Sequence, residues 1–282
     1  MLSELGGRTA AVTGAASGIG LGLARRCREQ GMNVVMVDVE LGALREAASG
    51  VGGDEHVLAV QADVSDADAV DAAAAAAYER FGAVHLVCNN AGVSITGRLW
   101  EMTDKDWRWV TGVNLLGVAN GIRSFVGRMV AGGEPGHVVN TSSLAGLTPM
   151  PHAGVYSATK AGVVALSEVL LHDLRDAGAP VGVSVLCPGL VNTNIIRSDR
   201  NRPHAASETG EAAIPEEALG FFAFGDDPLA VADRVLHAVA HDDFYVLTGE
   251  GARPGIAARM QAMVDLSEPP RTDPASVMPD QR

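Results

Sequence analysis

Six short runs, apolar almost from end to end, punctuate this chain. They are TAAVTG from Thr9, NVVMVD from Asn33, HVLAVQADV from His56, VHLVCNNAG from Val84, GHVVNTSS from Gly136 and VGVSVLCPG from Val181. A strand with one face in water alternates apolar and polar residues, whereas a continuously apolar run is covered on both faces. Helical patterns fall between the runs: Ile19 to Gln30, an alanine-rich stretch from Asp66 to Arg80, roughly Asp104 to Ala131, and Gly154 to Asp176. Parallel strands joined by right-handed helical crossovers satisfy both signals. The predicted fold class is therefore α/β, a doubly wound parallel sheet of the Rossmann type in three layers.

No linker divides the chain, so a single domain over residues 1–266 is expected. Two regions break the rhythm. Residues 194–225 are polar and irregular, yet they contain Ile195, Ile196, Leu219 and the run FFAF. A long loop with that apolar content reads as a lid over a site. Near the C-terminus, PGIAARMQAMVDL places Ile256, Met260, Met263 and Val264 on one helical face, which could pack on the body or on a partner subunit. The proline-rich stretch 267–282 reads as irregular.

Composition sets the outer limits. Hydrophobic residues at 47% and charged residues at 20% allow a sizeable core. A net charge of −13, with no lysine or arginine cluster, speaks against a nucleic-acid groove. Cys27, Cys88 and Cys187 lie far apart without a CxxC pair, which suits free thiols in a reducing cytoplasm. The N-terminus lacks a basic start followed by an apolar run, and no uncharged apolar run reaches ~18 residues. Neither a secretory leader nor a membrane span is expected. His237 and His241 have a spacing that can hold a metal, but no third ligand is evident and an exposed helix face explains both.

The end of the first run carries more specific chemistry. In VTGAASGIG, Gly14, Gly18 and Gly20 allow a sharp strand-to-helix turn and close approach of backbone to a pyrophosphate, whose charge would meet the helix N-terminus. The spacing is GxxxGxG, unlike the GxGxxG of other dinucleotide folds. Asp38 ends the second run, where a carboxylate can accept hydrogen bonds from the adenosine ribose hydroxyls and would repel a 2′-phosphate. Neither Ser17 nor Val39 is basic. This pattern selects NAD over NADP.

In VYSATKAG, Tyr156 and Lys160 stand at i, i+4 and so share one face of a helix. A free tyrosine, with a pKa near ~10, is a poor base at neutral pH. A neighbouring ammonium favours the phenolate and lowers that value. A proton must move at the oxygen whenever hydride leaves or joins an alcohol carbon, and such a pair is suited to it.

These stretches occur in a recognisable order. TGAASGIG, NNAG at Asn89–Gly92, NLLG at Asn114–Gly117, TSS at Thr141–Ser143, YSATK at Tyr156–Lys160 and PGLVNT at Pro188–Thr193 make the chain resemble the short-chain dehydrogenases/reductases, in their short single-domain branch, over roughly residues 5–250. The resemblance implies an oxidoreductase acting on CH–OH groups with NAD. It assigns Asn114, Ser143, Tyr156 and Lys160 to a catalytic tetrad, with Ser142 as the alternative to Ser143. Gly14, Ser17, Gly18, Ile19 and Gly20 would line the pyrophosphate and Asp38 the adenosine ribose, with Asp63 and Val64 flanking the adenine. Asn90, Ala91 and Gly92 would touch the cofactor, and Pro188, Gly189, Val191 and Thr193 would hold the nicotinamide end. Lys160 would also hold the nicotinamide ribose, Ser143 would orient the substrate oxygen, and Asn114 would hold a water relaying protons from Lys160. Relatives of this kind form dimers or tetramers through the helices after the fourth and fifth strands, so a homo-oligomer is implied.

The substrate pocket is expected beside the nicotinamide, at the C-terminal ends of the strands. Ser94, Ile95, Leu144, Met150, His152, Leu190 and Phe221 are candidate walls. Most are apolar, which favours a hydrophobic secondary alcohol or ketone. A 3-oxoacyl thioester reductase of the same family, or an NAD-holding sensor without turnover, are the competing readings.

Overall fold

The computed structural model describes residue 2 and residues 4–203, 223–249 and 251–272. Strand β1 (Thr9–Thr13) feeds helix α1 (Gly18–Glu29), and β2 (Asn33–Asp38) feeds α2 (Leu41–Val51). Strand β3 (Val57–Gln61) leads to α3 (Ala67–Phe81), and β4 (Leu86–Asn89) to a long helical stretch. That stretch consists of α4 (Asp104–Thr111), α5 (Gly117–Gly121) and α6 (Gly127–Gly132), joined by π turns at Gly112–Leu116 and Ile122–Val126. Strand β5 (Gly136–Thr141) is followed by the short α7 (Leu144–Leu147) and by α8 (Gly154–Asp176). Strand β6 (Val181–Cys187), a 3-10 segment (Asn194–Asn201), α9 (Pro228–His241), β7 (Tyr245–Leu247) and α10 (Ala252–Val264) complete the described chain.

All seven strands run parallel in the order β3-β2-β1-β4-β5-β6-β7. The period of two along each strand divides its side chains between two cores. Ala10, Val12, Val34, Met36, Leu86 and Cys88 face the cluster built with α1, α2 and α9. Ala11, Val35, Val37, Val87, Val138 and Val183 face the cluster built with α3, α6 and α8. This double coverage is the physical reason the runs are apolar throughout. The strand order reverses between β1 and β4, and the crevice outside their carboxyl ends is where such sheets bind ligands.

The six runs and the four helical patterns all form the expected elements. Four elements lay beyond the periodicity. Helix α2 buries only Leu44 and Ala48 and has no side-chain cap, so its pattern is weak. Helix α7 is a single turn, and β7 is a three-residue edge strand with Tyr245 exposed. Helix α9 is capped by Asp227, whose carboxylate accepts from Leu229 N at 2.9 Å, with Pro228 in its first turn.

Helix α8 is long and apolar enough to cross a membrane by length and composition alone. Here it packs on β5 and β6, and its inward face, including Val155, Val163, Val164 and Leu170, is core. The C-terminal stripe divides in α10: Ile256 packs against the cluster around Leu144 and Leu147, while Met260, Met263 and Val264 are exposed. Residues 267–272 form no helix or strand, and the Thr272 hydroxyl donates to the Pro149 carbonyl at 3.0 Å. His237 and His241 stack with ring centroids 4.0 Å apart, and no group of three metal-ligating side chains forms among the described residues.

Candidate active site

The turn between β1 and α1 opens a cleft along the carboxyl ends of the strands. Gly14 and Gly18 have φ of +66° and +54°, the left-handed region that glycine adopts without strain. A Cβ on Gly14 would stand 2.9 Å from Ala91 Cα, and one on Gly18 3.0 Å from Thr193 Cγ2, so side chains there would close the cleft floor. Gly20 acts differently. Its missing Cβ would fall 2.1 Å from the Gly14 carbonyl oxygen, so this glycine lets α1 pack against its own turn. Ser17 caps α1 without a side-chain hydrogen bond, leaving the first N–H groups of the helix aimed at the cleft without a side-chain acceptor.

Asp38 sits at the end of β2 with each carboxylate oxygen fixed. Oδ2 accepts from Ala16 N at 3.0 Å and Oδ1 from Glu40 N at 3.0 Å. Each oxygen keeps acceptor capacity for a further donor. Asn90 is held by Thr13, which the sequence reading did not single out. Asn90 N donates to Thr13 Oγ1 at 2.9 Å and Asn90 Nδ2 to Thr13 O at 3.0 Å, tying β1 to β4 at the switch point.

One cleft gathers Gly14, Ser17, Gly18, Ile19, Asp38, Asp63, Val64, Asn90, Ala91, Gly92, Tyr156, Lys160, Pro188 and Thr193. Gly189 and Val191 stand behind its wall: Gly189 N donates to Thr248 Oγ1 at 3.1 Å, and Val191 is core. The glycine floor, the uncapped helix N-terminus and the carboxylate at the far end fit a nicotinamide dinucleotide.

At the other end, Lys160 is 2% exposed, and its ammonium donates to the Thr141 carbonyl at 2.9 Å. Burial lowers its pKa to about 8, against a small opposing pull from Cys187. Tyr156 lies one helical turn away, with Lys160 Nζ 5.7 Å from its ring centroid. Ser143, whose Oγ accepts from Ala145 N at 3.1 Å, acts on the Tyr156 phenol through hydrogen bonding that lowers its pKa. Ser142, although it shows at the cleft wall, donates its Oγ to the Lys160 carbonyl at 2.7 Å. Of the two serines, Ser143 is the one that acts on the phenol pKa.

One expectation needs correction. The tyrosine pKa is not depressed here: burial pushes it above its ordinary value, and this outweighs the Ser143 hydrogen bond that pulls it down. Lys160 turns its charge to a backbone carbonyl, and burial weakens that charge. The Asn114 side chain makes three hydrogen bonds, and its Oδ1 keeps capacity for a further donor. In the π turn of Gly112–Leu116, its Oδ1 accepts from Val93 N at 2.8 Å and its Nδ2 donates to Val93 O at 2.9 Å and Thr159 Oγ1 at 3.3 Å. Its evident contribution is to clamp the loop after β4 to α8.

The proposed substrate walls scatter. Leu144 and Leu190 are buried in packing, Met150 lies against the Leu144 cluster, and His152 is exposed with φ +63°. Ile95 packs beside Val110 and Val155, and Ser94 donates its N–H to Ser198 Oγ at 3.1 Å. Phe221 lies outside the described residues, as do positions 204–222 of the expected lid.

Residues 194–203 cross the cleft instead, and sequence reasoning had no access to their partners. Arg200 pairs with Glu40, and Arg202 pairs with Asp106 while its guanidinium lies over Trp109, 5.6 Å from the ring centroid. Ile195, Ser198, Arg200, Asn201 and Trp109 all line the cleft.

The fold and the site together define a Rossmann-type α/β oxidoreductase. A family model described as short chain dehydrogenase matches residues 8–204, and the chain belongs to that family. A short chain dehydrogenase/reductase from Burkholderia phymatum, crystallised in complex with NAD, superposes with a TM-score of 0.88 at 39% identity, covering 96% of this chain and 99% of that one. The C alpha-dehydrogenase of a Sphingobium species is 34% identical over 95% of this chain and 88% of its own length. The 1-deoxy-11-beta-hydroxypentalenate dehydrogenase of Streptomyces arenae is 38% identical over 80% of this chain and 86% of its own length.

Proposed function

We propose that the protein is an NAD-dependent oxidoreductase that interconverts a hydrophobic secondary alcohol and its ketone, with Tyr156 as acid/base. The observation that carries this reading is one cleft that holds Tyr156 and Lys160 at one end and Asp38 at the other, with Ser143 acting on the phenol from beside it. The relatives named as dehydrogenases support alcohol chemistry, and the NAD complex of the Burkholderia relative supports the cofactor.

The nicotinamide ring supplies the hydride acceptor or donor when bound. In the oxidation direction the substrate C–H bond breaks with its electron pair leaving as hydride, the C–O bond becomes a carbonyl, and the hydroxyl proton passes to the Tyr156 oxygen. Ser143 orients the substrate oxygen by donating to it. Lys160 adds positive charge beside the phenol, joined by the charge of the oxidised ring, and both act against the burial that raises the tyrosine pKa. Asn114 fixes the loop that forms the cleft wall opposite α8, and a water held beside it would connect Lys160 to solvent. Asp38 takes the adenosine ribose and disfavours a 2′-phosphate.

The catalytic domain is taken as residues 1–266, with a substrate lid at about 194–225 and the chain beyond as an appendage. Exposed Leu116, Val130 and Val169 on the outer faces of the helices after β4 and β5 favour a homo-oligomer, dimer or tetramer, built through those helices. The three buried free cysteines suit a cytoplasmic protein. A panel of secondary alcohols with NAD, read by NADH absorbance, tests the reading. Turnover of apolar cyclic or polycyclic alcohols is expected, and turnover of 3-oxoacyl thioesters alone would contradict it.

A further inference from the structure

The sequence offers no base beside Asp38, yet the fold delivers one. Arg200, from the segment that crosses the cleft, lines the same cleft as Asp38, Glu40 and Asp63. Among the described residues the lining cations are Arg200 and Lys160, and Lys160 is bonded to Thr141 at the opposite end. Among the described residues, Arg200 is therefore the positive side chain available to a 2′-phosphate at the adenosine end.

Its guanidinium is already engaged. Nε and Nη2 lie 2.9 and 2.7 Å from Glu40 Oε1, and Nη1 donates to the carbonyls of Asn194 and Arg197 at 3.3 and 2.8 Å. Asn201 Nδ2 donates to the same Glu40 oxygen at 2.8 Å. Burial pushes the Glu40 carboxyl up, but the bonds from Asn201 and Arg200 hold it below its ordinary pKa, so it is charged at neutral pH. Glu40 is also fixed in place, because its N–H donates to Asp38 Oδ1 at 3.0 Å.

We propose that Glu40 is a second determinant of dinucleotide choice, acting by holding Arg200 away from the 2′-phosphate position that Asp38 already disfavours. The proposal rests on the dinucleotide reading above. A phosphomonoester carries about −1.5 to −2 charges at pH 7, and a freed guanidinium is its natural partner. The sequence motif around Asp38 therefore states only half of the selectivity; the other half is an ion pair between residues 160 positions apart.

Fluorescence titration with NADH and with NADPH tests this on the wild type, Glu40→Gln, Arg200→Gln and the double variant. Glu40→Gln is expected to tighten NADPH relative to NADH by about tenfold. The double variant should lose most of that gain, and Arg200→Gln alone should show none. Glu40→Ala provides the same comparison should the glutamine variant fold poorly, with a thermal melt as the control. An unchanged ratio in both Glu40 variants, or a double variant that keeps the full gain, overturns the assignment. A wild type that binds neither dinucleotide overturns instead the reading on which the proposal rests, whereas NADH binding with an unaltered ratio leaves that reading standing.

Discussion

Lys160 gives its ammonium to the backbone carbonyl of Thr141, 2.9 Å away, from a position 2% exposed. The bond runs from the helix that carries Tyr156 to the end of the strand that leads to Ser143. It fixes the spacing of α8 against β5, and with it the spacing of the phenol from the serine. Lys160 therefore positions as well as charges the site, and its burial has a measurable consequence. The unfolded lysine keeps its proton up to a pKa of 10.5, while the folded one releases it at about 8. Between these values the unfolded state binds more protons, so raising the pH through that window favours the fold. The melting temperature of the wild type, measured against Lys160→Met, should climb from pH 8 to pH 10. A constant difference would mean that the lysine is not buried as described.

The two serines should separate cleanly. Ser143→Ala removes the group that orients the substrate oxygen, and kcat should fall by about 10²- to 10³-fold. The same substitution removes the hydrogen bond that pulls the tyrosine pKa down, so the alkaline rise in oxidation rate should move to higher pH. Ser142→Ala removes a buried bond to the Lys160 carbonyl, with an expected loss of about 1 kcal/mol in stability and a far smaller effect on kcat. Steady-state pH profiles and thermal melts on both variants check this.

Two glycines in the long helical stretch should respond in opposite directions. A Cβ on Gly121 would lie 1.9 Å from Asn89 Oδ1, in the contact that seats α5 against β4. Gly121→Ala is expected to cost about 2–3 kcal/mol. Gly127 has nothing within 4 Å of its would-be Cβ and is exposed, so Gly127→Ala should stabilise by about 0.5–1 kcal/mol. Denaturant titration distinguishes the two.

The sheet and most of the cleft were legible because local patterns carry them. Apolar runs specify doubly covered strands, the glycine turn specifies its own backbone, and Tyr156 and Lys160 share a helix face at fixed spacing. What escaped depends on contacts between distant positions. Nothing near Glu40 in the chain foretells Arg200, and nothing near Asp106 foretells Arg202. Thr13 looks like an ordinary strand residue until the fold brings Asn90 against it. The expected substrate walls do not share one lining, for a related reason. Leu144 and Leu190 follow the right strands, but their apolar side chains are drawn into the core rather than left facing the cleft. The direction of the tyrosine pKa lies beyond the spacing, which shows the lysine but not the burial of both groups.

The central claim is that the Tyr156 oxygen moves the proton. Tyr156→Phe removes that oxygen and leaves the ring, the helix and the cleft as they are. Turnover of an alcohol with NAD, measured beside the dissociation constant for NADH, is the direct test. Turnover should fall by at least about 10²-fold, with NADH binding retained. A phenylalanine variant that turns over at the wild-type rate would contradict it.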